Sequence, residues 1–143
     1  KKDENLMYNE NIERISKYIE NLKNFKFIDY EFDLNSVLSL CDILITDYSG
    51  VMFDFLYQDK AIVIYAPDYE EFKKKNGFSF DPIENRFSHF AKNIDDLNSY
   101  ILEYFSEKKL FNDKYRNERG KVKNQVFLKE DGIDNIMNTI KNS

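Results

Sequence analysis

Residues 41–68 read CDILITDYSGVMFDFLYQDKAIVIYAPD, and the order of residue types along them decides the fold. An apolar run, Ile43-Leu44-Ile45, closes in a small polar cluster, Thr46-Asp47-Tyr48-Ser49-Gly50, and the chain turns apolar again at once. Residues 49–58 carry Val51, Met52, Phe53, Phe55 and Leu56, so a helix here is apolar nearly all round and mostly buried, with Asp54 as the exception. AIVIYA, residues 61–66, is a second continuous apolar strand of the kind found inside parallel sheets. The order is strand, loop, helix, strand. In an open parallel sheet, ligands are held where a strand's carboxyl end hands over to its helix.

Working outward, Asp33 is placed to cap a short helix over LNSVLSLC that leads into the first strand. Upstream, Ile12, Ile15, Ile19 and Leu22 mark an amphipathic helix over residues 11–23, and NFKFIDYEF alternates like a strand. Downstream, residues 68–76 form a short charged helix closed by Gly77, followed by a loop over 78–86 containing Pro82. RFSHFA makes one more short strand. Asn93 with Asp96 three residues on is an N-cap pattern, and Ile94, Leu97, Ile101 and Tyr104 stripe the helix behind it. Ser106 is read as the cap of a further helix through Tyr115 and Arg116. After Gly120 a polar stretch is expected, then a last helix through Ile133, Ile136, Met137 and Ile140. Strands alternating with helices predict a single α/β domain over residues 1–143, a Rossmann-like parallel sheet with flanking helices and about four strands.

The bulk composition narrows the function classes. At 143 residues, 42% hydrophobic and 33% charged, the chain can bury a real core and is not a disordered segment. Its net charge of −5 argues against nucleic acid as a partner. The lysines at 73, 74 and 75 follow Glu70 and Glu71 and read as a solvated helix face. The single cysteine, Cys41, allows no internal disulfide, reads as a small buried thiol and offers no cysteine-based metal site; no metal or other cofactor is expected. No apolar run is long enough to cross a membrane.

Two readings compete at the polar cluster. Thr46, Ser49 and Gly50 stand where the first N–H groups of a helix and nearby hydroxyls would cradle a phosphate; alternatively Asp47 or Ser49 simply caps the helix. A nucleophile elbow is excluded, because Ser49 lacks the glycine two residues before it, and neither a Walker loop nor a dinucleotide glycine fingerprint is present. Asp54 either bonds to its surroundings or faces the crevice, where a carboxylate could accept both hydroxyls of a ribose. His89, the one histidine, is a candidate base, set against a structural role in an apolar strand.

The stretch DILITDYSGVMFDFLYQDKAIVIYAPDYEEF, followed by NGFSFD and NIDDL, resembles the CDP-glycerol:poly(glycerophosphate) glycerophosphotransferase family, the teichoic-acid-type polymerases and primases of bacterial envelopes. The pairing of TDYS with FDF carries the similarity. The resemblance implies the C-terminal, donor-binding half of a GT-B fold, whose other Rossmann-like domain would lie in a preceding part of the protein. It implies that the donor's pyrophosphate lies at Thr46, Asp47, Tyr48 and Ser49, which favours the phosphate reading of the cluster. It also places the essential histidines upstream of Lys1, in one case in a His-Pro motif, so this chain alone is expected to be inactive. The chain departs from the family in having Gly50 where a second serine is usual and Ala61 where proline is usual.

The implied function is a transferase joining a CDP-glycerol or related CDP-polyol donor to a polyol-phosphate or glycan acceptor, building a teichoic-acid-like or capsular polymer. Donor-binding residues would be Thr46, Asp47, Tyr48, Ser49, Gly50 and Asp54. The expected place is the cytoplasm, peripheral at the inner face of the cell membrane. Two alternatives remain: a nucleotide-sugar glycosyltransferase donor domain, and a non-catalytic Rossmann-like binding module.

Overall fold

The computed structural model describes residues 17, 23–25, 28 and 32–127. The chain divides between Val37 and Leu38 into two units, and every described strand lies in the second. In order the elements are α1 (Leu34–Leu40), β1 (Ile43–Thr46), α2 (Val51–Leu56), β2 (Ala61–Tyr65), α3 (Tyr69–Asn76), β3 (His89–Ala91), α4 (Ile94–Ser106), α5 (Lys108–Asp113) and α6 (Arg116–Phe127). Of the expected helix over 11–23 only Lys17, which is helical, and Lys23 are described, and the expected last helix falls outside the described residues. So does most of the strand expected over 24–32, of which Asn24, Phe25, Ile28 and Phe32 are described and are not in a strand.

The sheet has three described strands in the order β1-β2-β3, all parallel, with Thr46 opposite Ile64 and Val63 opposite His89. Alternation along the strands sends side chains to two cores. On one face Ile62 and Ile64 pack with Met52, Phe55 and Leu56 of α2, Tyr69 of α3 and Phe87, with Leu44 and Phe90 against them. On the other face Ala61, Val63 and Ala91 pack with Tyr104 of α4 and Phe111 of α5. β2 is central and covered on both sides, which is why AIVIY reads as an unbroken apolar run. The sequence-based α/β assignment holds for these three strands.

Local signals set several boundaries. Asp33 accepts hydrogen bonds from the Ser36 N–H (3.0 Å) and hydroxyl (2.7 Å) at the start of α1. Asn93 accepts from the Asp96 N–H at 2.8 Å, while Asp96 accepts from the Lys92 N–H at 3.0 Å, a reciprocal cap on α4. Gly77 ends α3 at φ +67, a left-handed value that glycine adopts without Cβ strain.

Three expectations need correction. Ser106 does not cap a following helix: it is the last residue of α4, and Glu107 stands at the junction with α5. Gly120 does not open a polar break but lies inside α6. The roughly 1 kcal/mol penalty of a helical glycine is outweighed by neighbours that bind α6 to the core, Val122 by apolar burial and Arg119 by hydrogen bonds. Lys73 does not belong to a solvated lysine face, because its ammonium lies 3.0 Å from Asp81 and also bonds Glu84; Lys74 and Lys75 are exposed.

Candidate functional site

All three strands are parallel, so their carboxyl ends share one edge of the sheet. That edge carries residues 46–50 after β1, residues 66–68 after β2, and Lys92 and Asn93 after β3. β1 and β2 are hydrogen-bonded neighbours, so the first two of these loops lie side by side, and the Ala66 N–H donates to the Ala91 carbonyl at 3.0 Å to bring in the third.

Within the first loop the chain turns on its own side chains. The Asp47 carboxylate accepts from the Ser49 N–H at 2.8 Å, and the Ser49 hydroxyl oxygen accepts from the Val51 N–H at 3.5 Å. These bonds shape the turn before α2: the N-cap residue is Gly50, with no side-chain cap, and of the two donors only the Val51 N–H belongs to the helix. The hydroxyl protons of Thr46 and Ser49 have no acceptor among the described residues, and neither does the Gly50 N–H. Gly50 is the residue before α2, with φ −58 and ψ −19, an ordinary right-handed conformation. A Cβ there would meet nothing within 4 Å. Neither backbone strain nor crowding demands glycine at this position.

Tyr48 is held differently from its neighbours. Its hydroxyl donates to the Asp68 carboxylate at 2.6 Å, and its ring stacks on Phe72 with centroids 4.4 Å apart and leans on Phe78 at 5.3 Å. Burial, then the Asp68 carboxylate, pushes the Tyr48 hydroxyl well above the usual tyrosine range, so it keeps its proton. Asp54, one turn into α2, is exposed and makes no hydrogen bond among the described residues.

Behind the edge lies a group that the sequence did not announce. Asp81 is 9% exposed and accepts from the Tyr69 hydroxyl (2.7 Å), the Lys73 ammonium (3.0 Å) and the N–H groups of Ile83 (3.0 Å) and Glu84 (3.2 Å). Burial alone would raise its carboxyl, but these donors hold it below the ordinary aspartate range. The carboxylates of Glu84 and Asp81 and the Tyr69 hydroxyl raise Lys73 in turn. The only local signal was Tyr69 and Lys73 four apart on one helix face; the partner in the next loop could not be read.

His89 begins β3 and points to the face opposite α2. Its ring is 1% exposed and stacks on Phe111 at 3.6 Å, with Tyr100 and Tyr115 edge-on, and Nε2 lies 3.3 Å from the Phe111 carbonyl oxygen. Burial lowers it to about 4, so it is neutral at pH 7. It does not join the 46–50 loop.

A cavity of about 70 Å³ opens at the strand carboxyl ends, lined by Ala66, Pro67, Tyr69, Glu70, Phe90 and Lys92. A larger hollow of about 440 Å³ lies beside Lys108 and Leu110. Lys108 pairs at 2.8 Å with Asp42, just before β1, so the larger hollow sits at the amino-terminal edge of the sheet, away from the loops. Among the described residues no three acidic, histidine or cysteine side chains form a group that could hold a metal ion, and no helix is long and apolar enough to cross a membrane.

Known proteins with similar sequences share one pathway vocabulary. The chain is 28% identical over 98 residues to the teichoic acid poly(ribitol-phosphate) polymerase of Bacillus spizizenii, covering 63% of this chain and 16% of that protein. It is 39% identical over 66 residues to the teichoic acid poly(glycerol phosphate) polymerase of the same organism, covering 43% of the chain and 17% of the relative. With the teichoic acid glycerol-phosphate primase of Bacillus subtilis it shares 36% identity over 69 residues, covering 48% and 16%. The matched stretches thus take up about a sixth of the length of these relatives. The model of one family matches residues 7–141, almost the whole sequence. The chain belongs to the CDP-Glycerol:Poly(glycerophosphate) glycerophosphotransferase family.

Proposed function

We propose that this chain is the donor-binding domain of a polyol-phosphate transferase, the C-terminal half of a GT-B pair, which takes a CDP-polyol and extends a teichoic-acid-like polymer. The observation that carries this reading is the 46–50 loop. It stands at the carboxyl edge of a parallel sheet, in a member of this family, with two hydroxyl protons and one N–H unengaged. An acceptor hydroxyl would attack the donor phosphorus nearest the polyol. The new P–O bond forms as the phosphoanhydride bond breaks, and CMP leaves with the electron pair. Thr46, Ser49 and the Gly50 N–H would hydrogen-bond the diphosphate as negative charge moves onto the leaving group. Asp54, unpartnered and exposed, would accept from the ribose hydroxyls. The base that takes the acceptor's proton belongs to the part of the enzyme facing this edge, and the whole enzyme would work at the inner membrane face.

The test is CDP titration of the 143-residue chain followed by amide resonances. Saturating CDP should shift residues 46–51 first. If these amides stay still while others move, the site is elsewhere. A CDP-independent preference for UDP-sugars would favour the sugar-transferase reading instead.

A further inference from the structure

We propose that Tyr48 and Asp68 are positioning residues: the bond from the Tyr48 hydroxyl to the Asp68 carboxylate clasps the loop after β1 to the loop after β2 and sets the shape in which residues 46–50 meet the donor. The inference rests on the donor reading for its functional consequence, but the clasp itself stands on geometry.

Asp68 occupies the N-cap position of α3, where an aspartate normally accepts a helix N–H. It makes no such bond. Its carboxylate turns instead to Tyr48, 20 residues earlier, at 2.6 Å. A capping residue diverted from its own helix stabilises something else, and here that is the neighbouring loop. The tyrosine end is seated as firmly. Its ring lies on Phe72 and against Phe78, and Phe78 stacks on Tyr69 at 5.8 Å. Tyr69 in turn donates to the buried Asp81. The loop is thereby tied through an aromatic stack to a fully hydrogen-bonded carboxylate in the α3–β3 connection. With its one proton given to Asp68 and its ring resting on Phe72 and Phe78, Tyr48 has no hydroxyl donor to offer a ligand. It fixes the turn from which Ser49 and Gly50 project.

The experiment uses the 143-residue chain with Tyr48→Phe, Asp68→Ala, Asp68→Asn and the Tyr48→Phe/Asp68→Ala double variant. Without ligand, backbone ¹⁵N order parameters at residues 48–50 should sit near about 0.85 in the parent chain and fall toward about 0.6 in Tyr48→Phe and Asp68→Ala. The double variant should fall no further, and Asp68→Asn, which keeps an acceptor oxygen, should retain most of the order. Unchanged order parameters in both single variants overturn the clasp. CDP affinity should weaken by about three- to tenfold in each single variant, the range of one net hydrogen bond, with no added loss in the double. If Tyr48→Phe weakens CDP and Asp68→Ala does not, Tyr48 touches the donor directly and the proposal fails. If the parent chain does not bind CDP, the donor reading fails, and the order parameters alone decide the clasp.

Discussion

Asp54 is the residue on which the donor reading can be split most finely. It lies four positions after Gly50, a little more than one helical turn, and its carboxylate is exposed without a partner among the described residues. Asp54→Asn should fold normally, bind CDP about tenfold more weakly, as for loss of a hydrogen bond to a charged group, and leave inorganic pyrophosphate binding nearly unchanged. Equal loss for both ligands in a calorimetric titration would make it a brace of the loop. His89 carries a prediction of a different kind. Its buried ring is lowered to about 4, against about 6.5 in an unfolded chain. Between these values the unfolded state binds the proton and the folded state does not, so stability is complete above pH 6.5 and falls as the pH drops toward 4. Unfolding free energies from urea denaturation at pH 7 and pH 5 should differ by about 2 kcal/mol from this group. His89→Phe, which keeps a ring on Phe111, should remove that part of the slope; an unchanged slope would show that other groups set it.

At the scale of elements, the two glycines in or beside helices separate propensity from packing. Gly120 lies in α6, exposed, and a Cβ there would meet nothing within 4 Å. Gly120→Ala should therefore raise stability by about 0.5–1 kcal/mol, seen as a higher melting temperature. Gly50 has the same open surroundings and an ordinary φ, so Gly50→Ser should fold at least as well as the parent. The serine that the family resemblance leads one to expect there is thus compatible with this backbone. Asn93→Ala should lose about 1 kcal/mol, because the cap on α4 depends on its side chain.

At the scale of the whole described molecule, Arg119 ties three elements together. It is 1% exposed, and its guanidinium donates to the Asp59 carboxylate (3.0 Å), the Asp59 carbonyl (3.3 Å) and the Asn112 carbonyl (2.7 Å). Asp59 is held at φ +50 between α2 and β2, an uncommon conformation for a residue with a Cβ. Because the Asp59 carboxylate is part-exposed, the ion pair counts for little by itself; the buried carbonyl bonds and the packed stem carry the effect. Arg119→Ala should cost about 3 kcal/mol in urea unfolding, and Arg119→Lys should recover only part of it, since an ammonium cannot reproduce the planar fork. A loss below 1 kcal/mol would mean that α6 is held by Val122 and its neighbours alone.

What the sequence by itself determined is whatever depends on near neighbours along the chain. The apolar run of β2, the buried face of α2, the Asn93–Asp96 cap and the Gly77 stop are all written within four or five residues, because burial faces and caps repeat at the period of the element. The strand-to-helix handover at Thr46-Asp47-Tyr48-Ser49-Gly50 was legible for the same reason. What the tertiary structure decided is which side chains in that loop are already engaged, and by whom. Tyr48 meets Asp68 across 20 residues and Arg119 meets Asp59 across 60, while Lys73 finds its carboxylates in the next loop. α6 runs through Gly120 because Arg119 and Val122 are buried beside it. Spacing along a sequence encodes a period and a cap. It does not encode the distance between two loops that only a parallel sheet brings side by side.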